Sequence, residues 1–298
     1  MIRKLVSLIL ALAMLTSMSL AFAEDTSVTI TDMAGREITF TEPVTRIVAL
    51  SPADCEIIYA LGAGDTIVGR GEYCDYPTEV LDVPVVKSGA EANIEEILAL
   101  EPQVVVMSSM AHTEEQVQAM ENAGIICVVS DADDIEGVYT SILMLGAMMG
   151  KDVEAEALVN DMRTTFDDIA STSEATGKTV YFEVSPLEWG LWTAGTGTFM
   201  DEIATMCGLT NIFSDVNGWA EISEEQVLIR NPDYIVTITM YFGEGPTPVE
   251  EIMGRTGWGS VSAVANGNVY NADSNEISRP GPRLKDAALG LREFITAE

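Results

Sequence analysis

The segment from Asp152 to about residue 170 has a regular alternation of apolar and polar positions. Its apolar residues recur at steps of three and four, which is the spacing of one helical face: Val153, Ala157, Leu158, Met162, Phe166 and Ile169. Gly150 is suited to end the preceding helix, and Asp152 is suited to cap the new one. Because a helix rises 1.5 Å per residue, this one extends roughly 28 Å, the diameter of a small domain. The pattern predicts one long helix that joins two lobes.

The two sides of this helix repeat the same order of residue types. Residues 93–106 contain a capping residue, a glutamate, an apolar helix, a proline and an apolar strand, and residues 223–236 repeat that order 130 positions later (223 − 93). Glu95 and Glu225 occupy the matching place in the two copies. Two similar lobes on one rigid helix are the simplest account, and a continuous helix predicts that they move little.

Strands and helices alternate on both sides of the helix. A hairpin is predicted at residues 28–31 and 37–40, followed by strands at 46–50, 66–69, 103–107 and 125–129 and helices at 56–61, 93–100, 113–122 and 135–149. Further strands are predicted at 179–184, 211–213, 234–238 and 268–270, with helices at 199–206, 224–229, 248–253 and 282–296. This order predicts an α/β fold of two lobes, each with a mainly parallel sheet flanked by helices. The lobes span residues 24–150 and 173–298, the connecting helix spans 151–172, and a ligand is expected at the carboxyl ends of the strands.

The first 23 residues have the features of a signal peptide. Arg3 and Lys4 precede an apolar run at 5–15, and Ala21-Phe22-Ala23 is typical of a cleavage site. We expect cleavage after Ala23 and a secreted, periplasmic or otherwise extracytoplasmic protein. An uncleaved membrane anchor is the alternative, since residues 5–23 carry no charge. No cysteine precedes Cys55, so a lipoprotein is not expected.

Composition and charge narrow the class of partner. With 298 residues, of which 47% are hydrophobic, the chain can form two domains with apolar cores. A net charge of −32 makes nucleic acid and anionic membranes poor partners. The cysteines lack the spacing of a metal or redox motif: Cys55, Cys74, Cys127 and Cys207. In an exported protein a disulfide between Cys55 and Cys74 is an alternative to free thiols.

Catalytic motifs are scarce in the sequence. It contains one histidine, His112, and neither a G-x-S-x-G nor an H-E-x-x-H motif. Gly195-Thr-Gly197-Thr198 precedes a helix and could hold an anion, but it lacks the lysine and the length of a phosphate loop. We therefore expect a binding protein without catalytic residues, bound metal or cofactor. An exported enzyme that uses His112 or a carboxylate in a cleft is the alternative.

Aromatic and arginine side chains follow several predicted strands. They are Tyr73, Tyr76, Trp189, Trp192, Trp219, Arg279 and Arg283. Flat aromatic faces with a few polar donors suit a large, partly apolar ligand held between two lobes. Core packing is the alternative for each tryptophan.

Six segments together resemble the periplasmic-binding-protein family of ABC importers for vitamin B12, ferric siderophores and haem, whose lobes are joined by one long helix. The segments cover residues 46–52, 73–77, 93–102, 207–213, 223–228 and 279–283. The resemblance implies that Tyr73, Trp192 and Trp219 line the ligand site and that Arg279 makes a polar contact. It also implies that Glu95 and Glu225 form salt bridges with arginines on the two permease subunits.

The resemblance implies a monomer that captures a corrinoid and delivers it to an ABC permease. Two further tryptophan positions of the vitamin B12 binder correspond to Gly89 and Ser108, and the disulfide partner of Cys207 there corresponds to Arg292. The alternative ligand is a ferric siderophore or haem, with carboxylate or catecholate groups that would meet basic residues: Arg279, Arg283, Arg70 or Lys87. The histidine-rich ligand sets of the zinc and manganese importers are missing, which argues against free metal as the cargo.

Overall fold

Parallel strands form a separate sheet in each lobe of the protein. The computed structural model describes residues 27–89, 93–108 and 113–297. The strands of the N-terminal lobe are β1 (Val28–Thr31), β2 (Glu37–Phe40), β3 (Ile47–Ala49), β4 (Ile67–Gly71), β5 (Val85–Val86), β6 (Val104–Met107) and β7 (Ile126–Val129). Its helices are α1 (Pro52–Ala60), α2 (Ile94–Ala99), α3 (Glu114–Asn122) and α4 (Ile135–Met149). β1 and β2 form an antiparallel hairpin, and the other five form a parallel sheet in the order β5-β4-β3-β6-β7.

The chain then runs along α5 (Asp152–Thr172) into the C-terminal lobe. The strands of this lobe are β8 (Thr179–Glu183), β9 (Trp192–Ala194), β10 (Thr210–Asn211), β11 (Trp219–Glu221), β12 (Tyr234–Thr237) and β13 (Val269–Asn271). Its helices are α6 (Phe199–Met206), α7 (Glu224–Arg230), α8 (Pro248–Gly254), α9 (Ser262–Asn266), α10 (Ser274–Ile277) and α11 (Leu284–Thr296). Four strands form a parallel sheet in the order β10-β8-β12-β13, while β9 and β11 form a separate antiparallel ribbon. The predicted α/β class with two parallel sheets is confirmed.

The long helix α5 is present, but its buried face differs from the predicted one in the first turns. Val153 is 77% exposed, whereas Ala155 and Val159 are buried. A Cβ on Gly146 of α4 would lie 2.5 Å from the Cβ of Ala155, so the missing side chain lets α4 and α5 pack closely there. This contact fixes which face of α5 points inward.

At the junction between α4 and α5, one prediction is confirmed and another is wrong. Gly150 adopts the left-handed conformation, with φ of 68°, and ends α4 as predicted. Lys151 precedes the first turn of α5, so Asp152 is the first helical residue and not the cap. The Lys151 side chain makes no capping bond to the backbone, and its Nζ donates instead to Oε1 of Glu154 over 3.3 Å.

One apolar core runs through α5 and connects the two lobes. It includes Met148 from α4, Met162 from α5, Ile203 from α6 and Leu291 from α11. The lobes also meet directly, because the amide N–H of Phe199 donates to the carbonyl oxygen of Asp133 over 2.8 Å. The amide of Ile135 donates to Oε2 of Glu202 over the same distance. The lobes are therefore bonded to each other on the side nearest the connecting helix.

The cysteines are thiols in this structure. Cys55 and Cys74 are buried and free, and their Sγ atoms lie 3.8 and 3.7 Å from the carbonyl oxygen of Ala49. The disulfide alternative for this pair is therefore not observed. Cys127 is buried in β7, and both Cys127 and Cys207 are free.

Membrane-spanning helices can be assessed in the described residues, whereas the signal peptide cannot. Within residues 27–89, 93–108 and 113–297, no helix combines the length and apolar character that a membrane span requires. The predicted signal peptide at 1–23 lies outside the described residues.

Candidate ligand-binding cleft

A cleft of about 720 Å³ lies between the lobes, at the carboxyl ends of strands from both sheets. Ser51, Ser108 and Ser130 line it just after β3, β6 and β7, and Val184 and Ile238 line it directly after β8 and β12. This is the location expected for ligands of open parallel sheets. The volume falls in the range of about 300 to 1,000 Å³ that is usual for small-molecule sites.

The C-lobe wall of the cleft is mostly apolar and aromatic. We define it by Val184, Trp192, Phe199, Trp219, Ile238 and Met240. In the antiparallel ribbon, Trp192 is opposite Glu221 and Trp219 is opposite Ala194, so both tryptophans lie on the same face. The ring centroids of Trp219 and Phe199 are 5.5 Å apart.

Exposure separates the cleft tryptophans from the core tryptophan. Trp192 and Trp219 are 41% and 37% exposed, and both line the cleft, so core packing is not their role. Trp258 is the fully buried one, and its Nε1 donates to Glu224 over 2.8 Å. Trp189 is 76% exposed and lies outside the cleft lining. Contact of Trp192 and Trp219 with a ligand stays a prediction.

The N-lobe wall of the cleft is polar and acidic. We define it by Ser51, Asp54, Ser108, Ser130, Asp131 and Asp133, and Tyr73 lines the same side. Asp54 belongs to the first turn of α1 and is 1% exposed. Burial raises the pKa of its carboxyl group to about 7, partly offset by the hydroxyl groups of Ser130 and Ser51, while the charge of Asp131 raises it further. Sequence reasoning missed Asp54.

Arg279 lines the cleft, but the protein's own carboxylates already hold its guanidinium group. Its Nη1 donates to Oε1 of Glu56 over 2.9 Å and to Oδ1 of Asp75 over 2.7 Å. Burial lowers the pKa of Arg279, and these two carboxylates raise it, so that the net shift is upward. Arg283 binds the same glutamate through two bonds of 2.8 and 2.6 Å. Glu56, whose side chain is 2% exposed, therefore joins α1 of one lobe to the loop before α11 of the other.

The other basic residues considered for an anionic ligand are not placed to bind one in the cleft. Arg283 stacks on Tyr76 at 4.2 Å and lines a separate pocket. Arg70 is buried and donates to the carbonyl oxygen of Cys74 over 2.8 Å. Neither Arg70 nor Lys87 lines the cleft. None of these three residues lines the cleft, so they give the alternative of an anionic cargo no support.

The glycine-rich segment before α6 has a structural role. The amide groups of Gly195 and Thr196 donate to the carbonyl oxygens of Gly218 and Val216, each over 2.8 Å. A Cβ at Gly195 would lie only 2.2 Å from the oxygen of Val216. Glycine therefore permits the close approach that supports the ribbon of Trp192 and Trp219. Since these two amide groups are bonded within the protein, they are not available to an anion.

Comparison with known proteins identifies the class. The family model for periplasmic binding proteins matches residues 47–276. This chain belongs to that family. It is 34% identical over 269 residues to YvrC of Bacillus subtilis, described as an uncharacterized ABC transporter substrate-binding lipoprotein, covering 88% of this chain and 83% of YvrC. The family resemblance of the six sequence segments is thus confirmed.

Solved structures of similar proteins differ in the ligand that their descriptions name. The vitamin B12-binding protein BtuF of Vibrio cholerae is 25% identical with a TM-score of 0.70, covering 86% of this chain and 98% of that one. A possible iron-binding periplasmic solute-binding protein from Staphylococcus epidermidis is 28% identical with a TM-score of 0.72, covering 86% and 100%. Membership in the family gives this chain the role of a substrate-binding protein of ABC-type transport. Its ligand is a separate question.

Two further features concern the alternatives of an enzyme and of a metal site. His112, on which the enzyme alternative depended, lies outside the described residues. In the part of the chain that the structure describes, no group of three or more His, Cys, Asp and Glu side chains could hold a metal ion.

Glu95 and Glu225 occupy the same place in the two lobes of this binding protein. Both are exposed in the first turn of a helix, α2 or α7, each of which precedes a central strand of its sheet. Asn93 caps α2 by accepting from the amide of Glu95 over 3.1 Å, and Ser223 begins α7 in a capping box with Gln226. The structure thus supports the repeat that the sequence indicated. Permease contact by the two glutamates stays a prediction.

Proposed function

We propose that this protein is the substrate-binding protein of an ABC importer and that it captures a corrinoid between its lobes. The observation that supports this most is the pair of unlike walls: an aromatic wall with Trp192 and Trp219 faces a polar wall with Asp54 and Ser130 across about 720 Å³. A flat, bulky ligand with an apolar face and hydrogen-bonding edges matches both walls. BtuF, which carries vitamin B12 by its description, supports the same choice.

A ferric siderophore or haem is the second candidate. The similar protein of S. epidermidis, described as a possible iron-binding protein, favours it. Anionic chelates of iron need cationic partners, and among the described residues Arg279 is the one basic residue that lines the cleft. Because Glu56 and Asp75 already neutralise Arg279, the cleft is better suited to an uncharged ligand.

The test is a titration of the purified protein with cyanocobalamin, a ferric hydroxamate, a ferric catecholate and haemin. Binding is followed by quenching of tryptophan fluorescence and by visible absorbance, since Trp192 and Trp219 line the cleft. We expect cyanocobalamin to bind most tightly of the four. Tighter binding of an iron chelate or haemin would assign the second candidate instead.

We further propose that the protein acts as a monomer and docks on an ABC permease dimer through Glu95 and Glu225. The two exposed carboxylates, one on each lobe, would each meet one permease subunit. Complementary charge steers association and sets its register more than it adds affinity. Loss of uptake on reversal of either charge is the expected result.

Export is the last part of the proposal. We propose that the leader at 1–23 is removed, so that the mature chain begins at Glu24. The mature protein then lies outside the cytoplasmic membrane. The relative YvrC is described as a lipoprotein, so the two proteins would differ in their attachment to the cell. Mass spectrometry of the mature protein distinguishes a plain N-terminal Glu24 from a retained or lipid-modified leader.

A further inference from the structure

Asp54 has a buried oxygen without a partner in the wall of the cleft. Its side chain belongs to the N-lobe wall, and the residue is 1% exposed. Within the described part of the chain, its Oδ2 makes no hydrogen bond. An unsatisfied buried oxygen of this kind costs free energy, and native proteins rarely keep one without a use. The position at a ligand cleft indicates that the partner comes with the ligand.

The charges around Asp54 are mostly of the same sign. Asp131, in the segment after β7, raises the energy of the ionised Asp54, and Asp133 lines the same wall two residues later. Cys55 is the adjacent titratable group on α1. Across the cleft, Arg279 is held by Glu56 and Asp75. Among the described residues that line the cleft, Arg279 is the one cation, and it belongs to the other lobe.

We propose that Asp54 contacts the cargo directly: its Oδ2 accepts a hydrogen bond from an N–H group of a neutral or cationic ligand, and its ionised carboxylate repels ligands that present carboxylates to it. This inference rests on the proposed function, because it takes the cleft to be the cargo site. It also narrows the cargo class. Amide-bearing corrinoids and cationic hydroxamate chelates fit the wall, whereas haem carboxylates and anionic catecholate complexes do not.

The ionisation of Asp54 makes the proposal testable by pH. Since burial raises the pKa of this carboxyl group to about 7, its charge changes between pH 6 and pH 8. An ionised carboxylate binds an N–H donor more strongly than its protonated form does, and it repels an anion. A ligand that presents N–H groups must then bind more tightly as pH rises, and a ligand that presents carboxylates must bind more weakly. The sign of the change in affinity with pH therefore shows whether the ligand presents N–H groups or carboxylates to Asp54.

The experiment measures the Kd of cyanocobalamin, ferrioxamine B and haemin at pH 6 and pH 8. The proteins are wild type, Asp54→Asn and the control Asp65→Asn, which changes an exposed aspartate outside the cleft lining. For wild type and Asp65→Asn we expect the ligand that binds best to tighten by about ten-fold between pH 6 and pH 8. Asp54→Asn should show no such change and should bind that ligand more weakly at pH 8. The slope of the wild-type protein needs no variant, so a poorly folded variant leaves the test intact.

The outcomes separate this inference from the proposed function. If ferrioxamine B binds and cyanocobalamin does not, with affinity rising with pH in wild type and Asp65→Asn but not in Asp54→Asn, the corrinoid proposal fails and the role of Asp54 holds. If cyanocobalamin binds with the same affinity and pH dependence in wild type and Asp54→Asn, the corrinoid proposal holds and the role of Asp54 is wrong. Tightest binding of haemin at pH 8, or no binding of any of the three ligands, overturns both.

Discussion

The two lobes share one plan, yet they present different surfaces to the cleft. In the N-terminal lobe, short loops with Ser51, Ser108 and Ser130 follow the strands, and the wall is polar. In the C-terminal lobe, β8 is followed by the ribbon of β9 and β11, which adds Trp192 and Trp219 to the wall. The repeated strand and helix unit thus sets where the cleft lies, while the segments that connect its strands and helices set the chemistry of its walls.

Glu56 joins the two lobes, and its removal should have the largest effect on the fold. Glu56→Ala leaves Arg279 with Asp75 alone and Arg283 without a carboxylate, although both arginines are at most 15% exposed. Loss of one partner of a buried ion pair typically costs about 3 to 5 kcal/mol. We therefore expect the free energy of unfolding, measured with urea, to fall by that amount.

The matched control for Glu56 is Glu136, which pairs with Arg163 on the surface. Exposed pairs contribute at most about 1 kcal/mol, so Glu136→Ala should change the stability little. Equal effects of the two substitutions would mean that the bonds of Glu56 between the lobes do not hold them together.

The ionised Asp54 carboxylate should destabilise the fold of the ligand-free protein, and its replacement by a neutral side chain should increase the free energy of unfolding. The pKa is raised from 3.8 to about 7, so the folded state holds the proton more tightly than the unfolded state does. Wild-type stability from this group is therefore lost as pH rises from about 4 to about 7. Compared with wild type, Asp54→Asn should gain about 1 to 4 kcal/mol at pH 8 and little at pH 4. Thermal unfolding at both pH values measures the difference.

Asp65→Asn provides the comparison for this pH effect, since Asp65 is exposed. Its stability difference from wild type should be small at both pH values. A gain for Asp54→Asn that is the same at pH 4 and pH 8 would show that packing, and not ionisation, causes it.

The tryptophans of the C-lobe wall should affect binding more than folding. Trp192→Ala and Trp219→Ala should each weaken cargo binding by about 1 to 3 kcal/mol, from lost apolar contact and lost stacking. Both side chains are more than one-third exposed, so the melting temperature should change little. Trp189→Ala removes a tryptophan outside the cleft and should bind cargo as wild type does. Titration of the three variants with the best ligand decides whether the aromatic wall contacts the cargo, and normal binding by both cleft variants would show that it does not.

Much of the fold could be predicted because its patterns are long or repeated. The apolar stripe of α5 extends over five turns, and the strand predicted at 103–107 contains the uninterrupted apolar run 104–107, so both were found within a few residues of their ends. The ribbon was missed, since β9 and β11 have three residues each. The inward face of α5 was partly wrong because the close approach at Gly146 depends on tertiary packing.

The residue types of the candidate site could be predicted from the sequence, but the contacts between its side chains could not. Trp192 and Trp219 are aromatic and follow predicted strands, which is a visible signal. Asp54 gave one weak signal, an acid at the start of the apolar helix α1, and an acid there is also common at ordinary helix starts. The bond between Arg279 and Glu56 joins residues 223 positions apart, and no local spacing indicates it. Contacts between lobes require the assembled fold.

Glu95 and Glu225 are where the two lobes remain alike, and their reversal should leave the cleft unchanged. Both carboxylates are exposed, and neither lines the cleft. Glu95→Arg and Glu225→Arg should therefore fold and bind cargo nearly as wild type does. Each should abolish delivery, because a permease that engages both lobes cannot seat with one contact reversed.

Uptake by a reconstituted permease is the measurement that tests this docking. The double variant should be no more active than either single one, since one lost contact is enough to misplace the protein. Glu96→Arg is the matched control: it puts the same charge on the next exposed position of α2. If Glu96→Arg abolishes uptake as well, the net charge of the acidic surface and not the repeated position controls docking. Full uptake with both Glu95 and Glu225 reversed would mean that the lobes contact the permease elsewhere, and that their likeness reflects a shared helix start alone.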